Sequence, residues 1–135
     1  MNRDGQGNFM VDCSAVVIGA SGGIGLAVAN RLETTGHYKT VYRFSRSATG
    51  LDLENEASIA AAAGQVSQGP SPSLIFVATG VLHDGHDPER SFKAMTSEHL
   101  MRDYRVNTVG PALVAKDFLP LMPRDEREVF AALSE

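Results

Sequence analysis

The chain has 135 residues, 43% of them hydrophobic, and its 12 basic and 16 acidic side chains give a formal net charge of −4. That length supports one core and leaves no room for a second domain. The basic residues are scattered, which argues against a nucleic-acid partner, and the single cysteine, Cys13, sits in an apolar run, which fits a buried thiol without a redox role in a reducing, cytoplasmic setting.

The opening "MNRDGQGNFM" carries acid, amide and glycine where a secretory signal needs an unbroken apolar stretch. Residues 1–9 therefore read as a flexible N-terminus leading into one domain over 10–135. No later run reaches membrane-spanning length, so no membrane partner is expected. "CSAVVIGA" is continuously apolar and bounded by glycine, the pattern of a strand buried on both faces. Ile24, Ala27, Val28 and Leu32 then recur at helical spacing, and Gly36 supplies the stop.

"TVYRFS" (Thr40 to Ser45) predicts a second strand and "GLDL" a short third. "ENEASIAAAAGQV" predicts a helix, "GPSPS" breaks it, and "LIFVATG" (Leu74 to Gly80) predicts a fourth strand. After a polar, loop-like "HDGHDPERSF", residues 97–122 form one long helix candidate with Glu98 in its first turn and Pro123 beyond its end. Its second half is apolar nearly all round, which predicts cover on two sides. "EVFAALS" (Glu128 to Ser134) predicts a fifth strand. Strands alternating with helices predict an α/β fold, a Rossmann-type doubly wound parallel sheet of strand order 3-2-1-4-5 that breaks off after the fifth strand.

"GASGGIG" (Gly19 to Gly25) falls at the junction of the first strand and first helix, where helix N–H groups lack intrahelical partners and favour an anion. Glycines there let a pyrophosphate approach the backbone and let the helix pack tightly on the strand. A nucleoside-triphosphate loop would need Lys and then Ser or Thr after its last glycine, whereas Leu26 follows Gly25. Gly19, Ser21, Gly22, Gly23, Ile24 and Gly25 are accordingly the expected pyrophosphate site. The alternatives are a glycine-rich turn with no ligand and, for Ser21, a turn-stabilising hydroxyl. An NAD site carries an acid after the second strand; here Ser45 and Arg46 stand at that corner and suit a 2′-phosphate, which favours NADP(H) over NAD. Arg46 could also be an ordinary solvated arginine, and Arg43 competes for the assignment.

Taken together, these segments resemble the short-chain dehydrogenase/reductase superfamily. "GASGGIG" is similar to its G-x-x-x-G-x-G cofactor loop, and "LDL" (Leu51 to Leu53) to the segment after its third strand, which implies adenine contacts for Asp52 and Leu53. "VATG" is similar to its N-N-A-G segment, with only Gly80 matching, and implies a cofactor position for Ala78 and Gly80. "RVNTVGPALVAKDFLPLM" is similar to the family's interface helix; the resemblance implies that Asn107 is the catalytic asparagine of a proton relay and that residues 97–122 mediate homo-oligomerisation. The pattern "ATGVLHDG…PER…VNTVGPALVAKDFLPLM" is most like the C-factor group of bacterial oxidoreductases. Pro111, four residues beyond Asn107, removes the helical hydrogen bond to the carbonyl of residue 107 and predicts an opened turn there. An accidental kink with Asn107 as a plain polar residue is the alternative.

The resemblance implies an NADP(H)-dependent oxidoreductase acting on a carbonyl or alcohol, but the sequence holds no Tyr-x-x-x-Lys: the residues four after Tyr38, Tyr42 and Tyr104 are Tyr42, Arg46 and Thr108. The expectation is therefore the N-terminal, cofactor-binding part of a longer reductase, inactive alone for want of its general acid. A non-catalytic nucleotide-binding or oligomerisation protein is the alternative. His83, Asp84, His86 and Asp87 lack the spacing of a metal site, so no metal is expected. His37 and His99 read as surface residues, and Met95, Met101 and Met122 as core or interface.

Overall fold

The computed structural model describes residues 11–79, 92 and 95–133. The first apolar run forms β1 (Val11–Ile18), and Cys13 to Ile18 are buried, as a strand covered on both faces requires. Helix α1 (Gly23–Thr35) ends at Gly36, whose φ of 68° is a left-handed conformation that glycine adopts without strain. Strand β2 (Tyr38–Phe44) follows, then the single turn α2 (Arg46–Thr49), helix α3 (Glu56–Val66) and strand β3 (Pro72–Val77). Asn55 caps α3, its side chain accepting from the Ser58 N–H at 3.3 Å.

The stretch 97–122 is not one helix. It is α4 (Ser97–Tyr104), a π-helical turn (Arg105–Val109), α5 (Gly110–Phe118) and a 3₁₀ turn (Leu119–Leu121). Pro111 brings no N–H to the ladder, and the backbone opens just ahead of it, the Gly110 N–H reaching back to the Arg105 carbonyl. Within the single chain, Val106, Val114, Phe118 and Met122 are buried, whereas Ala112 is exposed and Leu119 is 46% exposed. Strand β4 (Val129–Ala132) closes the described elements and is shorter than expected.

The strands pair in parallel in the order β2-β1-β3-β4. This is the predicted sheet without its third strand: Leu51 to Leu53 form loop, with Leu51 and Leu53 buried in it. The reason is reach. A parallel strand beside β2 needs a crossover of about a dozen residues, and only Ser45 to Gly50 separate Phe44 from Leu51.

Alternate side chains of the sheet serve different helices. Val16, Ile18, Ile75 and Val77 pack with Ile59, Val66, Val114 and Phe118 of α3 and α5 on one face, while Val17 and Phe76 meet Ala29, Val28 and Leu32 of α1 on the other. Fully buried Ile18, Ile59, Ile75 and Phe118 each contribute about 1.5–3 kcal/mol of apolar transfer. Cys13 is a buried free thiol, as expected.

Candidate functional site

The chain passes from β1 to β2 on one side and crosses back to β3 on the other, so strand order reverses between β1 and β3. In open parallel sheets the crevice beyond the carboxyl ends of the strands at such a reversal is where ligands bind. Ile18 lies opposite both Phe44 and Val77 in the register, which brings the three following loops to one end of the sheet. There they line a cleft of about 390 Å³.

The glycine turn forms one wall, tied to its neighbours through the backbone. The Gly19 and Ala20 N–H groups donate to the Phe44 carbonyl at 2.8 and 3.0 Å, and the Ala78 N–H donates to the Ile18 carbonyl at 2.7 Å. Gly19 has φ +89°, and a Cβ there would stand 2.9 Å from Thr79 Cγ2 and 3.0 Å from the Ala78 carbonyl carbon. Gly25 is buried, and a Cβ on it would collide with the Gly19 carbonyl oxygen. A Cβ on Gly23 would meet nothing within 4 Å. The turn thus uses Gly19 and Gly25 to pack inward and presents bare backbone outward at Gly23. No side chain caps the start of α1 at Gly22, and no acid sits in its first turn. The positive end of the helix dipole therefore has no counter-charge from its own first turn.

The opposite wall comes from the loop after β2. Arg46, at the start of α2, lines the cleft with Leu51, Asp52, Leu53 and Glu54. Arg43 is not among the residues lining the cleft: its guanidinium donates to Glu33 Oε1 and Asn30 Oδ1, both at 2.8 Å, on α1. Arg43's hydrogen bond, aided by its charge, holds the Glu33 carboxyl below the usual carboxylate range. Asp52 is fixed by local bonds. Its Oδ1 accepts from the Glu54 N–H, and its own N–H and carbonyl both bond the Ser58 hydroxyl, all at 2.9 Å. Leu53 seats against Gly110, where a Cβ would come within 2.8 Å of it, so the head of α5 positions this loop.

Of the residues expected at the site, Gly19, Ser21, Gly22, Arg46, Asp52, Leu53 and Ala78 line the cleft together. Ile24 is 58% exposed outside it, and Gly23 and Gly25 belong to the same turn without lining it. Ser45 is buried and occupied as the cap of α2, accepting from the Ala48 N–H at 3.1 Å while its own N–H donates to the Thr49 hydroxyl at 2.9 Å. Asn107 lies in the π turn, one residue beyond the cleft-lining Val106. Gly80, His83, Asp84, His86, Asp87 and Ser134 lie outside the described residues, among which no cluster suited to a metal is found.

Sequence reading missed Leu51, Glu54, Thr79, Arg102 and Val106 as cleft residues. Glu54 and Arg102 face each other at 3.7 Å across 48 positions of sequence, a pairing no local pattern signals. The Thr79 hydroxyl oxygen is buried without a hydrogen-bond partner among the described residues. A polar group in that state costs free energy unless something pairs with it.

This is the fold of short-chain dehydrogenases. Aldohexose dehydrogenase from Thermoplasma acidophilum, in ligand-free form, superposes with a TM-score of 0.74 at 22% identity over 92% of this chain and 49% of its own. A metagenomic short-chain oxidoreductase in complex with NADP gives 0.74 at 23% identity, over 93% of this chain and 63% of its own. NADPH-bound carbonyl reductase from chicken fatty liver gives 0.66 at 20% identity, over 86% and 50%. The chain therefore spans about half to three-fifths of the length of these short-chain dehydrogenase structures. No family model matches the sequence, and no curated relative does.

Proposed function

We propose that this chain is the NADP(H)-binding part of an oxidoreductase of the short-chain dehydrogenase/reductase type, of the C-factor-like group, with a carbonyl or alcohol as the substrate of the whole enzyme. One observation carries the reading. The glycine turn packs inward through Gly19 and Gly25 and opens the uncapped start of α1 outward, beside a cleft that Arg46 also lines. That donor set fits a dinucleotide: bare backbone N–H groups suit a pyrophosphate, and a guanidinium suits a 2′-phosphate.

Gly19, Ser21, Gly22 and the backbone of Gly23 to Gly25 would hold the pyrophosphate, Arg46 the 2′-phosphate, Asp52 and Leu53 the adenine, and Ala78 with Gly80 the far side. Ser45 supports Arg46 by capping the turn that carries it. When bound, the nicotinamide supplies or accepts a hydride. Asn107, in the opened turn ahead of Pro111, is the residue of this chain assigned to a proton relay. The sequence has no Tyr-x-x-x-Lys to supply a general acid, which favours binding without turnover by these 135 residues. The NADP and NADPH complexes among the similar structures support the choice of cofactor.

Calorimetric titration of the purified chain with NADPH and then NADH tests the proposal, with Arg46→Glu alongside. NADPH binding that the variant loses supports the phosphate cradle; failure of both nucleotides to bind refutes it.

A further inference from the structure

We infer that the open edge of β2 is an interface with a second copy of this chain, the two β2 strands pairing antiparallel about a two-fold axis at Val41. The third strand expected beside β2 is not formed, so β1 is the sole strand neighbour of β2 among the described residues. The ladder shows which backbone groups this leaves open. The Gly19 N–H, at the end of β1, donates to the Phe44 carbonyl at 2.8 Å. In a strand the N–H and C=O of one residue point to one side and those of the next residue to the other. Phe44, Tyr42, Thr40 and Tyr38 therefore turn their backbone groups toward β1. Lys39, Val41 and Arg43 turn theirs outward, where they have no backbone partner among the described residues. A row of such groups is a template for another strand.

The features of this edge suit a second β2. A two-fold at Val41 sets Val41 against Val41 and Lys39 against Arg43, so the three outward-facing residues of each copy all find partners in the other. The same register sets Tyr38 of one copy opposite Phe44 of the other. Both side chains lie on the face covered by α3, where Tyr42 and Phe44 pack. A cavity of about 220 Å³ opens there, lined by Phe44, Gly50, Leu51, Ala61, Ala62 and Gln65. An apolar cavity of about 150 Å³ already admits a benzene-sized ring, so the half-buried Tyr38 of the second copy fits this one. The charges also balance. Lys39 brings Asp12 at 3.5 Å and Arg43 brings Glu33 at 2.8 Å, so the cations that meet across the axis arrive with their anions. An axis perpendicular to the sheet keeps both α3 helices on one face, and the exposed positions of α3 include Ala57, Ala60, Ala61 and Gly64, small enough for the two helices to lie close.

Sedimentation equilibrium of the full chain, wild type beside Val41→Pro and Ala61→Arg, tests the interface, with far-UV circular dichroism as the fold control. The wild type should be a dimer in concentration-dependent equilibrium with monomer. Proline is tolerated on an edge strand where the N–H faces outward, because the β1 ladder does not use that N–H, and it removes the central pair of bonds in the dimer. Arginine at Ala61 keeps good helix propensity, fills the cavity and sets like charges across the axis. Each substitution should weaken self-association by about tenfold or more with the spectrum unchanged. A wild-type chain that stays monomeric at every concentration overturns the inference. So does a dimer that either folded variant leaves unweakened, since another face then holds it. If Val41→Pro loses the native spectrum, Ala61→Arg decides alone.

Discussion

Replacing Gly25 by alanine separates the two uses of the glycine turn. The added Cβ would collide with the Gly19 carbonyl oxygen, stand 2.8 Å from the Gly19 carbonyl carbon and 3.2 Å from Ala78 Cβ. Two of those three atoms are backbone, and the Gly19 turn is pinned by the bonds of Gly19 and Ala20 to the Phe44 carbonyl. No flexible side chain can swing aside. Overpacking of this kind costs about 1–3 kcal/mol, with the upper part of the range expected where backbone must move. Alanine in a helix gains back about 0.5–1 kcal/mol over glycine, so the net loss should be about 1–2 kcal/mol. Gly23→Ala is the contrast, since its Cβ meets nothing within 4 Å and should leave stability equal or higher by a few tenths of a kcal/mol. Urea unfolding of the two variants reads the difference directly, and both should weaken NADPH binding, Gly25→Ala by shifting the turn and Gly23→Ala by obstructing the approach to bare backbone. A Gly25→Ala chain as stable as wild type, or a Gly23→Ala chain equally damaged, would refute the assignment of inward and outward glycines.

Three further expectations follow from single contacts. Burial, and secondarily the neighbouring Cys13, push the Tyr38 hydroxyl above its ordinary value near 10; the folded chain then holds a proton that the unfolded chain gives up, so stability is full below about pH 10 and falls as pH rises through the folded value. Alkaline titration followed by tyrosinate absorbance, with Tyr38→Phe as the control, checks this. Ser45→Ala removes the side-chain cap of α2 and should cost about 1 kcal/mol, measured by urea unfolding. Thr79→Val deletes a buried hydroxyl that lacks a partner among the described residues and should leave stability equal or up by about 1 kcal/mol in the same assay.

Strand β1, helices α1 and α3, and the parallel sheet were legible because each is written in a local signal: a continuous apolar run, a helical repeat ended by Gly36, an alanine-rich segment after Asn55. "GLDL" carries β-like apolar alternation, yet it is loop, because apolar residues also anchor loops when a helix covers them, as α5 does at Gly110 and Leu53. The break in residues 97–122 was foreshadowed only by Pro111; nothing in the periodicity announces a π turn five residues long. Spacing picked out the glycine turn and Arg46, which border the cleft, and Ser45, which the fold uses as the cap of α2; caps and phosphate ligands favour the same short hydroxyl residues, so the sequence does not separate the two roles.

The way the cleft is held explains why its chemistry and its fold respond to different substitutions. Its walls are turns and loops following β1, β2 and β3, together with the end of α4 and the π turn, and these gain rigidity from what lies behind them rather than from their own hydrogen-bond ladders. Gly25 seats the first wall on Gly19, Ser58 staples the second at Asp52, and Gly110 receives Leu53. Two of the residues facing the cleft from those walls, Ser21 and Arg46, are exposed and carry little of the packing. Substitutions at Gly25, Ser58 or Gly110 should therefore lower stability and binding together, while Arg46 should alter binding at nearly constant stability, since exposed polar side chains change it by only about 0.5 kcal/mol.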